Sequence, residues 1–439
     1  MQENSAAAPA ASPRLYYGWI IVGLSFFSIA FHSTSRFSFS LFQVPLIGEF
    51  GWARGALGGA YALNMAVYAL ANPIAGSLMD RYGPRKVMPW GSVLIGLGLA
   101  ASWFIGSLWQ VYLLTGVFMG MGSALSGFAL HSAQVPRWFR RKRGLATGIV
   151  LSGIGVGGLF LSPAIERMIA LLSWRHAYLF YGLFVLVVLA PLNILLLRNR
   201  PEEVGQAVDG LPPKEGAAPA EGAAPAEAGA AHGRLGLLDV FSLLRRDRRF
   251  FAIIFMSFTA GLHMNMIFSQ LSLFLVDQGY TLGAAAIVLG TIGFMRMIGS
   301  IALGSVSDRL GRNRTLALSY ALASVGVVIL LIIPRLGAGT LAGYLFGVVY
   351  GFGSGGSAST ASAMAADLFG KRSFGSVMGT LEICFGMGGV VAPPLAGFVF
   401  DYTRSYDIPF AIILGAMLVA IVIAFFLRVP RPGSESPAR

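Results

Sequence analysis

Apolar stretches of about 20 residues recur along the chain, separated by short segments where Arg, Lys, Asp, Gly and Pro gather. Their centres fall near residues 30, 66, 96, 121, 157, 186, 262, 294, 324, 353, 387 and 417. Each is long enough to cross roughly 30 Å of hydrocarbon as a helix. The pattern predicts an all-α membrane protein with twelve transmembrane helices. Residues 201–249 interrupt it, with "EGAAPAEGAAPAEAG" almost repeating itself, and nothing in 201–234 can form a core. The expected organisation is a tail at 1–15, a six-helix bundle at 16–200, a linker at 201–249, a second bundle at 250–428 and a tail at 429–439. Within the linker, "LLDVFSLLRRDRRFF" reads equally well as a short interfacial helix or as the basic collar of the seventh span.

The two bundles repeat one pattern. "GSLMDRYGPRK" follows the second span and "GSVSDRLGRNR" follows the eighth. Gly144, Gly148, Gly155, Gly157, Gly158 and Pro163 recur in the second bundle, all at one offset, as Gly375, Gly379, Gly386, Gly388, Gly389 and Pro394. At that same offset "FHSTSRFS" lies over "LHMNMIFS", pairing His32 with His263 and Arg36 with Ile267. A repeated six-span unit marks carriers whose site lies between the halves near the bilayer midplane.

Composition agrees. Of 439 residues 56% are hydrophobic and 12% charged, against roughly a quarter charged in soluble domains. Most of the 32 Lys and Arg fall on the side shared by both termini, in "DRYGPRK", "RWFRRKR", the linker and "DRLGRNR". That bias places both termini in the cytoplasm. It also explains the net charge of +13 as facing an anionic cytoplasmic leaflet rather than nucleic acid. The N-terminal segment has no signal-peptide architecture, so the first span reads as an uncleaved anchor. The single cysteine, Cys384, permits no disulfide within the chain. No cofactor is expected. "GIGVGG" and "GFGSGG" match a dinucleotide fingerprint letter by letter, but neither follows a strand, and glycines so spaced in apolar helices signal close packing. The chain carries none of the HExxH, Walker A or GxSxG motifs, which removes the commonest enzyme readings.

"GSLMDRYGPRK" and its partner resemble the cytoplasmic loop signature of the major facilitator superfamily. "YYGWIIV", "EFGWARGALGGAYAL", "RWFRRKRGLATGIVLSGIGVGG", "SWRHAYLF", "NRPEEVGQAVDG" and "SYDIPFAI" are similar, more narrowly, to bacterial monocarboxylate-type carriers, the group that includes oxalate:formate antiporters. The resemblance covers about residues 16–428. It implies alternating access, a multi-pass protein of the cell membrane (the inner membrane of a bacterium), and transport of small carboxylates with a proton or by exchange. It also implies that Gly76, Asp80, Arg81, Gly83 and Arg85, with Gly304, Asp308, Arg309, Gly311 and Arg312, form conformational gates. A plain topology signal is the alternative for these ten.

Three charges within spans are the sharper candidates. An Arg at the centre of a span costs about 2.5–3.5 kcal/mol on insertion scales, so Arg36 and Arg296 call for a cavity or a partner. A guanidinium can hold a carboxylate through two parallel hydrogen bonds. The alternatives are an outward-snorkelling Arg36 and a structural ion pair between Arg296 and Glu382. Glu382, in "GTLEICFGMGG", is the candidate proton carrier. His32 and His263 are candidate shuttles or substrate ligands, or else polar stitches between helices. Asn265, Tyr61 and Ser300 complete the candidate substrate site. The resemblance puts the carboxylate-binding arginine at the position of Ser300, one turn from Arg296, and its dicarboxylate carriers have a lysine near Glu382. The first departure shifts the site along the helix; the missing lysine favours monocarboxylates such as lactate or pyruvate, while two arginines keep dicarboxylates open. The alternatives are a carboxylate exchanger or dicarboxylate carrier, a proton-driven exporter of amphipathic cations, and a non-transporting anion sensor.

Overall fold

The computed structural model describes residues 16–210, 248–336 and 341–427. Among these described residues eleven helices are long and apolar enough to cross a membrane. They are α1 (Gly18–Phe50), α2 (Arg54–Tyr82), α3 (Pro84–Phe104), α4 (Leu108–Trp138), α5 (Arg143–Leu171), α6 (Trp174–Leu196), α7 (Arg249–Asp277), α8 (Leu282–Leu310), α9 (Arg312–Leu336), α11 (Val377–Thr403) and α12 (Asp407–Phe426). The remaining pass, α10, is 342–367. It shares with α11 one continuous helical stretch, Ala342–Thr403, whose contacts reverse direction. Gly343 packs against Tyr280 beyond the end of α7, Asp367 pairs with Arg312 at the start of α9, and Asp401 bonds the start of α2.

The molecule therefore has two ends. The basic end carries 80–86, 137–143 and 308–314, and the far end carries the turns near 51, 173, 279 and 404. Backbone chemistry sets several of these turns. Gly83 and Gly311 end α2 and α8 with φ of 82° and 91°, a region open to glycine at little cost. Gly83 also lies where an added Cβ would come within 2.3 Å of Asn199 Oδ1. The first turns of the expected linker pack on the first bundle. Gln206 Oε1 accepts from the Tyr17 amide, and the Asp209 carboxylate accepts from the amides of Arg140 and Arg141. The Tyr16 hydroxyl donates to the Trp138 carbonyl and accepts from the Asp209 amide. Burial pushes that hydroxyl up to about 12, so it remains a donor at neutral pH. The expected interfacial helix before α7 lies almost wholly outside the described residues.

The halves meet along α2 against α11, α5 against α8, and α1 against α7, and small residues set how closely. At the far end these helices touch backbone to backbone. A Cβ on Gly58 would lie 2.6 Å from the Pro393 carbonyl oxygen, and one on Gly397 2.5 Å from the Gly55 nitrogen. Between α5 and α8, a Cβ on Gly155 would lie 2.9 Å from the Gly293 carbonyl oxygen, and one on Gly290 2.7 Å from that of Gly158. Toward the basic end the same helices diverge, and a Cβ on Gly76, Gly144, Gly148 or Gly379 would meet nothing within 4 Å. The chain is closed at its far end and open at its basic end.

Candidate functional site

Two local features aim the arginines. Helix α1 breaks at Ser38, whose amide bonds to the Thr34 carbonyl, so Arg36 sits in the last turn of the first segment. A cation is favoured there by the carbonyl end of the helix. Arg296 sits where α8 crosses α10 at backbone contact. A Cβ on Gly355 would lie 2.0 Å from the Arg296 carbonyl oxygen, and one on Gly299 equally close to that of Phe352. Glycine at both positions fixes where the Arg296 side chain starts.

The guanidiniums flank a stacked aromatic pair. Phe37 and Phe268, which are themselves counterparts in the internal repeat, stack at 4.2 Å between ring centroids. Arg36 lies 5.0 Å from the Phe37 ring and 5.2 Å from the Tyr68 ring, and Arg296 lies 5.9 Å from Phe268. Among the described residues neither arginine has a carboxylate within 4.0 Å, and the Nε of each is buried without a hydrogen-bond partner. Each sits in the other's electrostatic field. Two like charges held this way in a poorly polarisable setting repel, and an anion between them relieves the repulsion. The charged neighbour of Glu382 is Arg36 rather than Arg296. Glu382 is exposed, on the basic-end side of the stack. Tyr68 interacts with both Glu382 and Arg36 and reaches Asn72.

Other candidates occupy different places. The Tyr61 hydroxyl donates to Asn265 Oδ1 at 3.2 Å, Gln43 Nε2 to the Ser269 carbonyl at 3.1 Å, and the hydroxyls of Ser40 and Ser272 lie 2.9 Å apart. These contacts join α1 and α2 to α7 on the far side of the stack, so Tyr61 and Asn265 belong to its seal. His32 Nδ1 turns to the Ser126 carbonyl at 3.0 Å, inside the first bundle. His263 Nδ1 lies 2.8 Å from the Tyr350 hydroxyl, with Arg296 nearby. The Ser300 carbonyl accepts from the Ser359 hydroxyl at 3.1 Å. Phe37, Phe268 and Tyr350 do not stand out in the sequence, where aromatics in apolar helices are commonplace. The matched positions of Phe37 and Phe268 in the repeat are the available signal.

The gate residues make contacts within their own halves. Asp80 lies 3.4 Å from Arg137 of α4. Arg312 pairs with Asp308 at 2.7 Å and with Asp367 of α10 at 2.9 Å. Arg81, Arg85 and Arg309 are exposed.

Among the described residues, the ion pair that crosses the halves is at the far end. Arg54 donates to both oxygens of Asp277 at 2.5 and 2.8 Å and to the Tyr406 hydroxyl at 3.0 Å, and lies 3.8 Å from the Phe400 ring. The amides of Arg54 and Gly55 donate to Asp401 at 3.1 and 2.8 Å, a carboxylate on a helix N-terminus supplied by the opposite half. Arg54 is 14% exposed and Asp277 29%, between the surface and buried limits for ion pairs, so the pair contributes about 1–3 kcal/mol to closure. Asp277→Asn is expected to shift the population toward the far-end-open state by about 5- to 150-fold. Thiol labelling of Ser40→Cys in a Cys384→Ser background, from the far side, should rise accordingly, and an unchanged labelling rate would remove the pair from the latch.

The model of the Major Facilitator Superfamily matches residues 25–355 and 297–439. Monocarboxylate transporter 11 of Mus musculus is 28% identical over 435 residues, 96% of this chain and 90% of that protein. Monocarboxylate transporter 13 of Bos taurus is 25% identical over 410 residues, covering 92% and 87%. A crystal structure of a nucleoside transporter superposes with a TM-score of 0.73 at 12% identity, covering 94% of this chain and 100% of that one. A bacterial homologue of the human lysosomal transporter Spinster, in an inward-facing and occupied conformation, gives 0.71 at 14%, covering 98% and 100%. With the matched model spanning nearly all of its length, the chain belongs to the Major Facilitator Superfamily and is a membrane transport protein.

Proposed function

We propose that this carrier moves small organic anions, monocarboxylates first among them, by alternating access, with the basic end in the cytoplasm. The observation that carries the reading is the pair of guanidiniums beside the Phe37–Phe268 stack between the halves, neither with a carboxylate within 4.0 Å among the described residues. The names of the relatives point the same way. Glu382 offsets one of the two positive charges, and Arg36 is its neighbour, so one charge remains for a monoanion at Arg296. The arrangement supports a division of labour, with Arg296 holding the carboxylate and Glu382 loading a proton from the open side. Protonation of Glu382 would free Arg36, and that favours a second reading, a dicarboxylate spanning both guanidiniums.

Uptake into proteoliposomes tests both. Radiolabelled lactate and pyruvate should accumulate faster under an inward proton gradient, and oxalate should compete poorly. Glu382→Gln is expected to leave counterflow exchange within about twofold while flattening the pH dependence of net uptake. No uptake of any carboxylate would overturn the anion reading. An unaltered pH profile in Glu382→Gln would overturn only the proton role.

A further inference from the structure

We infer that the basic end of the first bundle carries a binding site for an anionic phospholipid, separate from the vestibule and independent of which solute is carried. Two adjoining depressions share Lys86. One, of about 320 Å³, is lined by Leu78, Tyr82, Val87, Trp90 and Leu125 and is almost wholly apolar. The other, of about 520 Å³, is lined by Arg85, Arg198, Asn199, Glu203 and Ile194. An apolar groove running into a basic basin fits an amphiphile with acyl chains and a negatively charged head.

The cations in the basin lack acidic partners among the described residues. Among the described residues Arg85, Lys86 and Arg198 have no carboxylate within 4.0 Å. The one acid lining the basin, Glu203, accepts from the Asn199 amide and side chain at 3.2 and 2.8 Å. Arg198 donates to the carbonyls of Leu195 and Leu197, which leaves its charge uncompensated. Arg85 and Lys86 stand in the first turn of α3, where no acidic residue is present. Cations are disfavoured at that end of a helix and anions favoured. The equivalent turn of α9 differs, because Arg312 is neutralised there by Asp308 and Asp367. A phosphodiester would supply at α3 what those aspartates supply at α9.

The groove side suits the acyl chains. Trp90 is 65% exposed and Tyr82 45%, an aromatic pair beside the charges, as at a membrane–water boundary. The lysine stem can lie along the groove while its ammonium reaches the head. Phosphatidylglycerol has the required chemistry, and phosphatidylcholine cancels its phosphate with a choline.

The test is native mass spectrometry and thermal unfolding of the full chain with phosphatidylglycerol, phosphatidylcholine, short-chain dihexanoyl phosphatidylglycerol or inorganic phosphate. Phosphatidylglycerol should be retained and should raise Tm by several degrees, while phosphatidylcholine should not. The Arg85→Gln/Lys86→Gln/Arg198→Gln variant should lose at least about tenfold in phosphatidylglycerol retention. Arg140→Gln/Arg141→Gln/Lys142→Gln, which removes as much charge from the next loop, should lose less than twofold. Trp90→Ala should weaken the long-chain lipid and leave the short-chain one unchanged. Equal losses in the two triple variants would overturn the site in favour of diffuse surface charge. An equal thermal shift from inorganic phosphate would overturn the lipid assignment.

Discussion

Arg296→Lys is expected to raise the KM for a monocarboxylate by about 10- to 150-fold while leaving the protein folded. The magnitude follows from the loss of one charge-assisted hydrogen bond, about 1.5–3 kcal/mol, when a two-pronged donor becomes a point charge. The guanidinium stands over Phe268, anchored where Gly299 and Gly355 bring α8 and α10 together, so an ammonium on a different stem would not restore the geometry. Stability supplies the discriminating sign. A half-buried cation in the field of Arg36, with no acid within 4.0 Å among the described residues, destabilises the empty carrier, so Arg296→Met should leave Tm unchanged or raise it by a few degrees. A structural arginine would do the reverse. Unchanged KM in Arg296→Lys, or a large drop in Tm for Arg296→Met, would remove Arg296 from the substrate site. Arg36→Lys should have the smaller effect on KM, because Glu382, when ionised, offsets the charge of its neighbour Arg36.

The helical passes and their repeat were legible because both are local properties of the chain. Apolar length gives a span, and Gly83 and Gly311 sit where the backbone needs positive φ. Arg36 and Arg296 stood out because charge in an apolar helix is costly. Their surroundings did not stand out. Tyr68, Phe37 and Phe268 look like ordinary membrane residues until two halves bring them together. Arg54 is a charge at a span boundary, and its partners Asp277 and Asp401 belong to the opposite half of the sequence. Which end is open was likewise beyond reach, since it is a rigid-body relation between bundles that share one sequence pattern. The first turns of the linker, 201–210, were hidden by the Ala- and Pro-rich run that follows them.

That rigid-body relation makes a prediction through glycines that are idle in this state. On α5, Gly148 lies two turns from Gly155 toward the basic end, on nearly the same face. Gly155 is pressed against Gly293 and Met297 of α8, while Gly148 faces open space. The other seam repeats this. Gly386 of α11 meets Ala69 of α2, and two turns toward the basic end Gly379 and Gly76 meet nothing. If the carrier closes its basic end by rocking about these contacts, the idle glycines become the close-packed ones. Gly148→Leu should then leave Tm within about a degree, because its side chain finds room in the state described. It should also oppose closure of the basic end by about 1–3 kcal/mol of overpacking, which lowers the other state's population about 5- to 150-fold. Net uptake should fall in proportion, while carboxylate binding from the basic end stays within about twofold. Gly155→Leu should behave oppositely, losing several degrees of Tm as its side chain meets the α8 backbone. Wild-type uptake by Gly148→Leu would show that α5 does not approach α8 at the basic end, and that the halves move by some path other than rocking.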